Sequence, residues 1–416
     1  MVRDTTRRGA LRGIAGAGLG LAVVNGTVAG DDSERYIVTG GNNGVDADVD
    51  GSGFEIRHEI ANGEVLIVEG PTDARQELEA IPSVGSATAD FELEPPSLQP
   101  ADDAVAATDK TEFPDDWDWD RERIGMYEAH EYATGEGTRL GFIDSGVGAH
   151  PDLSNLNEAL SRAYIDGEEH PYDGADRMHG SFCAGFAAGT GDWRIEGVAP
   201  ETELVSLRRG TSSVNYIMAL DYAASIGCDV VNMSFGHGPY EPRQNAQHDV
   251  GSWRRAFELA ARDATRRGTT VVASQGNEGE NLQQGGRFRM WGDLQGTIGA
   301  SATDENDDLA EFSNYGTNAV TLGAPGVNGL GPVNYGDCEE VGVCDRDPPW
   351  FVASGTSLSA PYIAGAALLV RELRPDFNPA QVERALAQGA DLVTGRGDPE
   401  FGAGRLNVLD TVEPLR

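Results

Sequence analysis

The stretch Val352-Ala353-Ser354-Gly355-Thr356-Ser357-Leu358-Ser359-Ala360-Pro361 organises the interpretation of the whole chain. Gly355 and Thr356 form a tight entry, and Ser357 stands where a helix is predicted to begin. Small and apolar residues then recur at helical spacing until Pro375 ends the pattern. The Ser357 hydroxyl is therefore predicted to lie beside unpaired N–H groups at the positive end of a helix dipole. Taken alone, this pattern describes an N-capping serine.

The chain is strongly acidic, and its 416 residues have room for one large domain or two ordinary ones. Its formal net charge is -37, and Lys110 is the only lysine among 31 basic residues, so the other 30 are arginine. An excess of carboxylates argues against binding to a nucleic-acid backbone or to an anionic membrane surface. Because the acidic residues are spread along the whole chain, we interpret them as an adaptation to molar salt, where the Debye length falls to about 3 Å.

Four cysteines in so long a chain do not form a disulfide scaffold. Cys338 and Cys344 bracket a short loop and could pair outside the cell, whereas Cys183 and Cys228 lie in apolar runs and are predicted to be buried thiols. The acidic residues in and around the 338–344 loop are expected to be solvated rather than to hold a metal ion.

Residues 1–29 have the pattern of an export signal. Arg7 and Arg8 precede an uncharged, glycine-rich stretch that ends in Thr27-Val28-Ala29, which suits signal cleavage. The paired arginines resemble a twin-arginine signal, the export route for proteins that fold first. No other segment is apolar enough to span a membrane. We therefore expect a secreted, extracellular protein without a membrane anchor.

Residues 30–108 are predicted to form a small α+β module followed by a linker. The pattern indicates strands at Tyr36–Val38 and Val65–Val68, a helix from Thr72 to Ala80, and a third strand at Phe91–Glu94. Residues 95–109 are rich in proline, alanine and aspartate and show no periodicity, which indicates the linker. A small module, a linker and a large domain form the order typical of a zymogen; an independent binding domain is the alternative for the module.

Residues 109–416 alternate apolar strands with helical stretches, which predicts a parallel central sheet with helices on both faces. The predicted strands are 139–143, 204–207, 230–233 and 270–273, and the predicted helices are 179–188, 214–226, 253–267 and the one at Ser357. Such sheets carry their functional sites at the carboxyl ends of the strands.

Four residues at the ends of these elements have complementary chemistry. Asp144 ends a strand, His179 opens a helix, and Ser357 opens the last long helix. A serine hydroxyl is a poor nucleophile unless an imidazole takes its proton, and a buried carboxylate must fix the tautomer of that imidazole and stabilise its charged form. Asn277 follows another strand, so its amide and the Ser357 N–H could form an oxyanion hole. Each residue alone has an ordinary structural explanation, but the four together indicate acyl transfer.

These four stretches, in the order Asp, His, Asn, Ser, resemble the subtilisin-like serine proteases. The resemblance covers about residues 117–412 and includes Gly197-Val198-Ala199-Pro200, Asn232-Met233-Ser234-Phe235-Gly236, Phe312-Ser313-Asn314-Tyr315-Gly316 and Ala324-Pro325-Gly326. It implies a three-layer α/β fold with a mostly parallel central sheet, preceded by a small α+β prosegment that inhibits the enzyme from within the same chain. The acidic composition and the export signal make the chain similar to halolysins, the secreted subtilases of salt-loving microbes.

The resemblance also implies roles for single residues. The aspartate, histidine and serine would hydrolyse protein or peptide substrates through an acyl-enzyme, with Asn277 in the oxyanion hole. The first substrate pocket would lie between Ser234-Phe235-Gly236 and Ala273-Ser274-Gln275-Gly276. Because neither stretch carries a charge, a large apolar residue is expected on the acyl side of the cleaved bond. We expect a monomer that needs no cofactor; a structural calcium ion is compatible with the family, but no stretch matches its calcium loops well enough to name ligands.

Two motifs depart from the family pattern. His179-Gly180-Ser181-Phe182 lacks the second histidine of His-Gly-Thr-His, although His179 keeps the catalytic place, and Gly355-Thr356-Ser357-Leu358-Ser359 replaces Gly-Thr-Ser-Met-Ala. A catalytically silent relative that binds peptides through the same cleft is the alternative, but such proteins usually lack a member of the catalytic set. A serine–carboxyl peptidase would need glutamate in place of His179 and aspartate in place of Asn277, so the sequence excludes it.

Overall fold

A computed structural model describes residues 33–40, 46–50, 52–93, 98–100, 117–236, 238–239, 250–284, 287, 289–393 and 397–416. The export signal at 1–29 and most of the linker at 95–109 lie outside these residues, so their assignments stay predictions. Within the described part of the chain, no helix is long and apolar enough to cross a membrane.

The N-terminal module is a four-stranded antiparallel sheet with two short helices. Its elements are β1 (Ser33–Gly40), α1 (Asp46–Val49), β2 (Glu55–Ile60), β3 (Val65–Pro71), α2 (Arg75–Glu79) and β4 (Val84–Ala89), in the strand order β2-β3-β1-β4. Successive residues of a strand point to opposite faces. Tyr36 and Val38 therefore pack with Leu78 of α2 in the core of the module, whereas Ile37 joins a second core that the module shares with the large domain.

The predicted third strand at Phe91–Glu94 is wrong, because the chain leaves the sheet of the module before it. The Ser213 N–H donates to the Phe91 carbonyl at 2.8 Å, and the Leu93 N–H donates to the Thr211 carbonyl at 2.8 Å, so this segment bonds to the large domain instead. The sheet is completed by β2 and β4, which the sequence did not indicate. One of these strands is rich in charged residues and the other in small ones, and neither composition favours a strand.

An eight-stranded sheet forms the centre of the large domain. Before it, the chain forms β5 (Gln99–Pro100), α3 (Trp119–Arg123) and α4 (Met126–Ala129). The strands of the sheet are β6 (Arg139–Asp144), β7 (Arg162–Ile165), β8 (Glu168–Pro171), β9 (Glu203–Arg209), β10 (Val230–Met233), β11 (Thr270–Ser274), β12 (Thr297–Thr303) and β13 (Leu322–Pro325). Their order is β13-β12-β11-β10-β6-β9-β7-β8, and all pairs are parallel except the hairpin of β7 and β8.

Helices cover both faces of this sheet. They are α5 (Met178–Ala188), α6 (Ser213–Ser225), α7 (Val250–Arg266), α8 (Thr356–Leu373), α9 (Pro379–Gly389) and α10 (Val408–Val412), while β14 (Gly329–Pro332) and β15 (Trp350–Ser354) form a small antiparallel sheet with β5. Neighbouring strand residues join different cores: Phe142 packs with α5 and α8, and Ile143 packs with α6 and α7. The predicted three-layer α/β fold is confirmed, and the predicted elements of the large domain are confirmed to within three residues.

Candidate active site

Asp144 and His179 meet at the carboxyl edge of the central sheet. Asp144 is the last residue of β6, and His179 lies in the first turn of α5. The His179 Nδ1–H donates to Asp144 Oδ1 at 2.8 Å, and both side chains are buried. Because Nδ1 carries the proton in this arrangement, Nε2 is the ring atom that can accept another proton.

Two glycines permit this close approach. Gly146 has a φ of +94°, and a Cβ added to Gly180 would lie only 2.1 Å from the Gly146 carbonyl oxygen. A side chain at position 180 would therefore push α5 away from β6 and break the bond between Asp144 and His179. Ser145 adds a second connection, because its hydroxyl accepts the Gly180 N–H at 3.0 Å.

The surroundings of Asp144 favour its ionised form. Burial raises the pKa of this carboxyl, but the opposing effects of His179, Arg209 and the Ser145 N–H are larger and hold the pKa below its usual value. The Ser145 N–H donates at 2.7 Å to Oδ1, the same oxygen that accepts from His179. A carboxylate in this position can orient the imidazole and stabilise its protonated form.

Ser357 lies in the first turn of α8, beside the end of β10. Its hydroxyl donates to the Ser234 carbonyl at 2.9 Å, and the Ser234 hydroxyl donates to the Ser357 carbonyl at 2.8 Å. Among the described residues the Ser357 hydroxyl thus bonds to Ser234 and not to His179. Catalytic hydrogen bonds are often long or poorly aligned before substrate binds, and rotation about χ1 redirects a serine hydroxyl without moving its helix.

Asn277 follows β11, and Thr356 fixes the orientation of its side chain. The N–H and the hydroxyl of Thr356 both contact Asn277 Oδ1 at 2.9 Å. A backbone N–H can only donate, so the contacted atom is the amide oxygen and Nδ2 is the free end of the amide. Nδ2 lies beside Gly355, where an added Cβ would be 3.3 Å from it. The free amide donors therefore lie next to the start of α8, the segment that also supplies the Ser357 N–H.

The two predicted substrate-binding stretches lie side by side and contribute backbone rather than side chains. The pairing of β10 with β11, in which Met233 is opposite Ala273, brings the two stretches together. Phe235 is buried and packs its ring against Tyr216, with ring centroids 5.0 Å apart. Gln275 is also buried, and its amide donates to a carbonyl of the core. On the side of these two stretches, the space between them is therefore lined by peptide groups and not by side chains.

A further residue, Arg289, lies between these two stretches. Its guanidinium donates to the Gly236 carbonyl at 3.2 Å and forms an ion pair with Glu278. Neither stretch carries a charge of its own, but Arg289 brings a guanidinium between them from a third segment of the chain. Arg289 belongs to an irregular segment, and no periodicity or motif connects it with the pocket.

The 338–344 loop supports the helix that carries His179. Its two cysteines form a disulfide, and Glu340 lies between them. The Glu340 carboxylate accepts the Met178 N–H at 2.9 Å and an Arg177 guanidinium N–H at 3.1 Å. A carboxylate at a helix N-terminus is favourable because it satisfies an unpaired N–H and opposes the dipole. Glu340, which was expected to be solvated, therefore caps α5.

Replacing Glu340 with alanine is expected to lower the free energy of unfolding by about 1 kcal/mol, because α5 loses its N-terminal carboxylate. The measurement is denaturant-induced unfolding in a Ser357→Ala background, which removes self-digestion. Glu339→Ala is the matched control, since Glu339 lies on the same turn and its side chain makes no hydrogen bond to the described residues. Equal destabilisation by the two variants would contradict the capping role.

Cys183 and Cys228 are buried thiols, as predicted. Burial raises the pKa of the Cys183 thiol well above its usual value, and the charge of Asp144 raises it further. The Cys183 sulfur lies 3.8 Å from His179 Nε2. A thiol that stays protonated at this distance packs against the imidazole and does not form an ion pair with it.

Within the described ranges, no group of three or more histidine, cysteine, aspartate or glutamate side chains could hold a metal ion. The acidic residues around the 338–344 loop do not form such a group either.

Comparison with known proteins agrees with this geometry. The model of the subtilase family matches residues 135–404. An alkaline protease of Alkalihalobacillus alcalophilus is 30% identical over 83% of this chain and 84% of its own length, and Subtilisin Savinase of Lederbergia lenta is 31% identical over 70% and 96%. The solved epidermin leader peptide processing serine protease of Staphylococcus aureus shares the fold, with a TM-score of 0.69 and 20% identity over 92% of this chain and 98% of its own. The chain belongs to the subtilase family and is a subtilisin-like serine endopeptidase.

Proposed function

We propose that this chain is a secreted, salt-adapted subtilase of the halolysin type, which uses Asp144, His179 and Ser357 for catalysis and matures by removal of its N-terminal module. The observation that carries the catalytic assignment is the 2.8 Å hydrogen bond between His179 Nδ1 and Asp144 Oδ1, at the same sheet edge as Ser357 and Asn277. These residues belong to four elements that are far apart in sequence. A chance set of polar residues would not converge at one edge of the sheet.

In the proposed reaction, Ser357 Oγ attacks the carbonyl of the scissile peptide bond while His179 Nε2 accepts the hydroxyl proton. Asp144 holds the Nδ1–H and stabilises the imidazolium that forms. The amide of Asn277 and the Ser357 N–H stabilise the negative charge on the carbonyl oxygen. His179 then gives the proton to the leaving amine, and water hydrolyses the acyl-enzyme by the same proton transfers.

Contacts between the N-terminal module and the large domain support a role for the module as an intramolecular inhibitor. Asp90 caps α6, because its carboxylate accepts from the hydroxyls of Ser212 at 2.6 Å and Ser213 at 2.8 Å and from the Val214 N–H at 3.3 Å. The neighbouring Phe91 ring packs edge-on against a tryptophan of α7, with centroids 4.8 Å apart. These contacts fix the end of the module against α6 and α7.

The chain after the module bonds to the large domain at two points. The Leu93 N–H donates to the Thr211 carbonyl, and β5 pairs antiparallel with the end of β15, directly before α8 and Ser357. Proteases and peptide-binding domains commonly hold extended segments as added strands. We therefore place the self-cleavage in the linker that follows, residues 95–109.

The experiment that tests the proposed function is treatment of the secreted protein with a serine-directed phosphonylating reagent, followed by peptide mass spectrometry. One modified residue, Ser357, is expected, with loss of peptidase activity in proportion to labelling. His179→Ala is the control, because it keeps the serine but removes the base and should prevent labelling. An unlabelled Ser357 in a folded protein would favour the catalytically silent peptide-binding alternative.

Transfer from molar salt to dilute buffer is expected to abolish both activity and fold. Sixty-eight acidic residues against 31 basic ones leave a self-repulsion that screening by salt relieves. Circular dichroism and peptidase assays should decline together as salt is removed. Sucrose at the same osmolality is the control, since it favours compact states without screening charge. Signals that do not change on dilution would contradict the salt adaptation.

A further inference from the structure

Arg289 lies in the space between the two stretches that resemble the first substrate pocket. A Cβ added to Gly276 would lie 2.0 Å from Arg289 Cζ, and one added to Gly236 would lie 2.8 Å from Arg289 Nε. The guanidinium therefore lies directly against both walls, at positions where only glycine leaves room for it. The Arg289 side chain is 8% exposed, so it is a built component of the pocket rather than a surface side chain.

The hydrogen bonds of this guanidinium leave N–H groups along one of its edges without acceptors within the described residues. Nη1 donates to the Glu278 carboxylate and, at 3.3 Å, to the Gly238 carbonyl, while Nη2 donates to the Gly236 carbonyl at 3.2 Å. Nε is buried and has no hydrogen-bond partner among the residues that the structure describes. Nη2 has two hydrogens and uses one of them, so Nε and Nη2 each keep one N–H. These two nitrogens form an edge with which arginine can bind a carboxylate through two parallel bonds.

We propose that Arg289 makes this pocket select an acidic residue, glutamate or aspartate, on the acyl side of the cleaved bond. The inference rests on the proposed function, since it names the substrate class of the same site. Because the guanidinium itself fills the space between Gly236 and Gly276, a substrate carboxylate would bind by shifting the guanidinium and accepting from Nε and Nη2, which satisfies a buried donor that otherwise stays unpaired. A lysine or arginine side chain in the same place would meet a charge of its own sign.

Two other kinds of side chain fit the pocket less well. A large apolar side chain, as the sequence predicts, would cover the guanidinium and leave its buried N–H groups without a partner, which is unfavourable. A small side chain would fit beside the guanidinium but would leave the same donors unsatisfied.

The Glu278 carboxylate does not remove the preference for an acidic residue. It pairs with Nη1 and not with Nε or Nη2. Its own side chain is 37% exposed, so water reaches it more readily than it reaches Arg289. Salt screens buried charges much less than exposed ones, and the preference should therefore persist in molar salt.

The test compares kcat/KM of the mature enzyme in molar salt for peptides that differ only in the acyl-side residue, which is Glu, Gln, Asp, Ala or Leu. Glutamate and glutamine have the same size, so their ratio isolates the effect of charge. Cleavage after glutamate is expected to be at least about 10-fold faster than after glutamine. It should also exceed cleavage after alanine and after leucine.

Two variants assign the preference to the proposed contact. Arg289→Gln is expected to bring the ratio of glutamate to glutamine close to one, with labelling of Ser357 by the phosphonylating reagent as the check that the variant is folded. Glu278→Gln is expected to raise the ratio above that of the unmodified enzyme, because it removes the carboxylate that competes for the guanidinium. A drop of the ratio to one in Glu278→Gln would contradict the assignment.

The unmodified enzyme alone can overturn the inference if its ratio of glutamate to glutamine is near one. Fastest cleavage after leucine would support the apolar pocket that the sequence predicts. Arg289 would only fill the pocket if the unmodified enzyme cleaves fastest after alanine and the Arg289→Ala variant accepts a broader range of acyl-side residues. No cleavage of any peptide together with an unlabelled Ser357 would instead be a failure of the proposed function.

Discussion

Replacing Asp144 with alanine is expected to lower kcat by about 10⁴-fold, the size known for removal of the aspartate from a triad of this kind. The His179 ring would lose the acceptor of its Nδ1 proton, and the imidazolium formed during attack would lose the adjacent negative charge. Asp144→Asn is expected to lose less activity. The Ser145 N–H donates to the same oxygen that accepts from His179, so the asparagine amide should keep its oxygen there and preserve the tautomer while losing the charge.

Asp176→Asn is the matched control for these variants. It removes one negative charge near the site, but Asp176 pairs with Arg208 at 3.4 Å and makes no hydrogen bond to His179 within the described residues. Its kcat should stay within a few-fold of the unmodified enzyme. Equal losses in Asp144→Ala and Asp144→Asn would show that Ser145 does not hold the amide oxygen, and normal activity in both would remove Asp144 from the mechanism.

The ionised state of Asp144 also links stability to pH. Its pKa is lower in the folded protein than the value of about 3.9 typical of an unfolded chain. The carboxylate therefore stabilises the fold above that pH, and its contribution is lost as the pH falls through the folded value. The difference in unfolding free energy between the unmodified protein and Asp144→Asn should shrink in acid. A difference that does not depend on pH would mean that Asp144 is not ionised in the fold.

The sequence predicted the large domain well because its sheet is built from continuous apolar runs. A strand such as β10, buried on both faces, leaves a run that few other elements produce. Asp144, Asn277 and Ser357 follow such strands or open helices, so strand ends and motif order were enough to name them. The N-terminal module was less predictable, since β4 has small residues and Phe91–Leu93 is extended but pairs with the large domain.

The contacts that could not be predicted join residues that are distant in sequence and have no characteristic spacing. Arg289 reaches Gly236 and Glu278 from an irregular segment, and Glu340 caps α5 from a disulfide loop. In so acidic a chain, no sequence pattern distinguishes Glu340 from the other acidic residues. Only the folded arrangement shows that the Glu340 carboxylate meets a helix terminus and that the Arg289 guanidinium lies between two glycines.

Ser357→Ala is expected to abolish peptidase activity, with a loss of about 10⁶-fold, the size known for removal of the nucleophile from such a triad. Alanine removes the nucleophile without adding bulk or charge. It deletes one hydrogen bond, from the Ser357 hydroxyl to the Ser234 carbonyl, which contributes about 1 kcal/mol, so the fold should survive. The variant should accumulate as a precursor about 80 residues longer than the mature enzyme, because residues 30 to about 108 stay attached.

Ser359→Ala is the matched control, since its hydroxyl lies on the same helix but donates to the Ala324 carbonyl at 3.0 Å, away from His179. It should mature normally, and intact-mass measurement distinguishes the two products. Active enzyme added to the purified Ser357→Ala precursor should cut it within the linker, residues 95–109, because the precursor lacks only its own nucleophile. If purified Ser357→Ala loses the module with no other protease present, self-cleavage is excluded, and the assignment of Ser357 as the nucleophile is weakened with it.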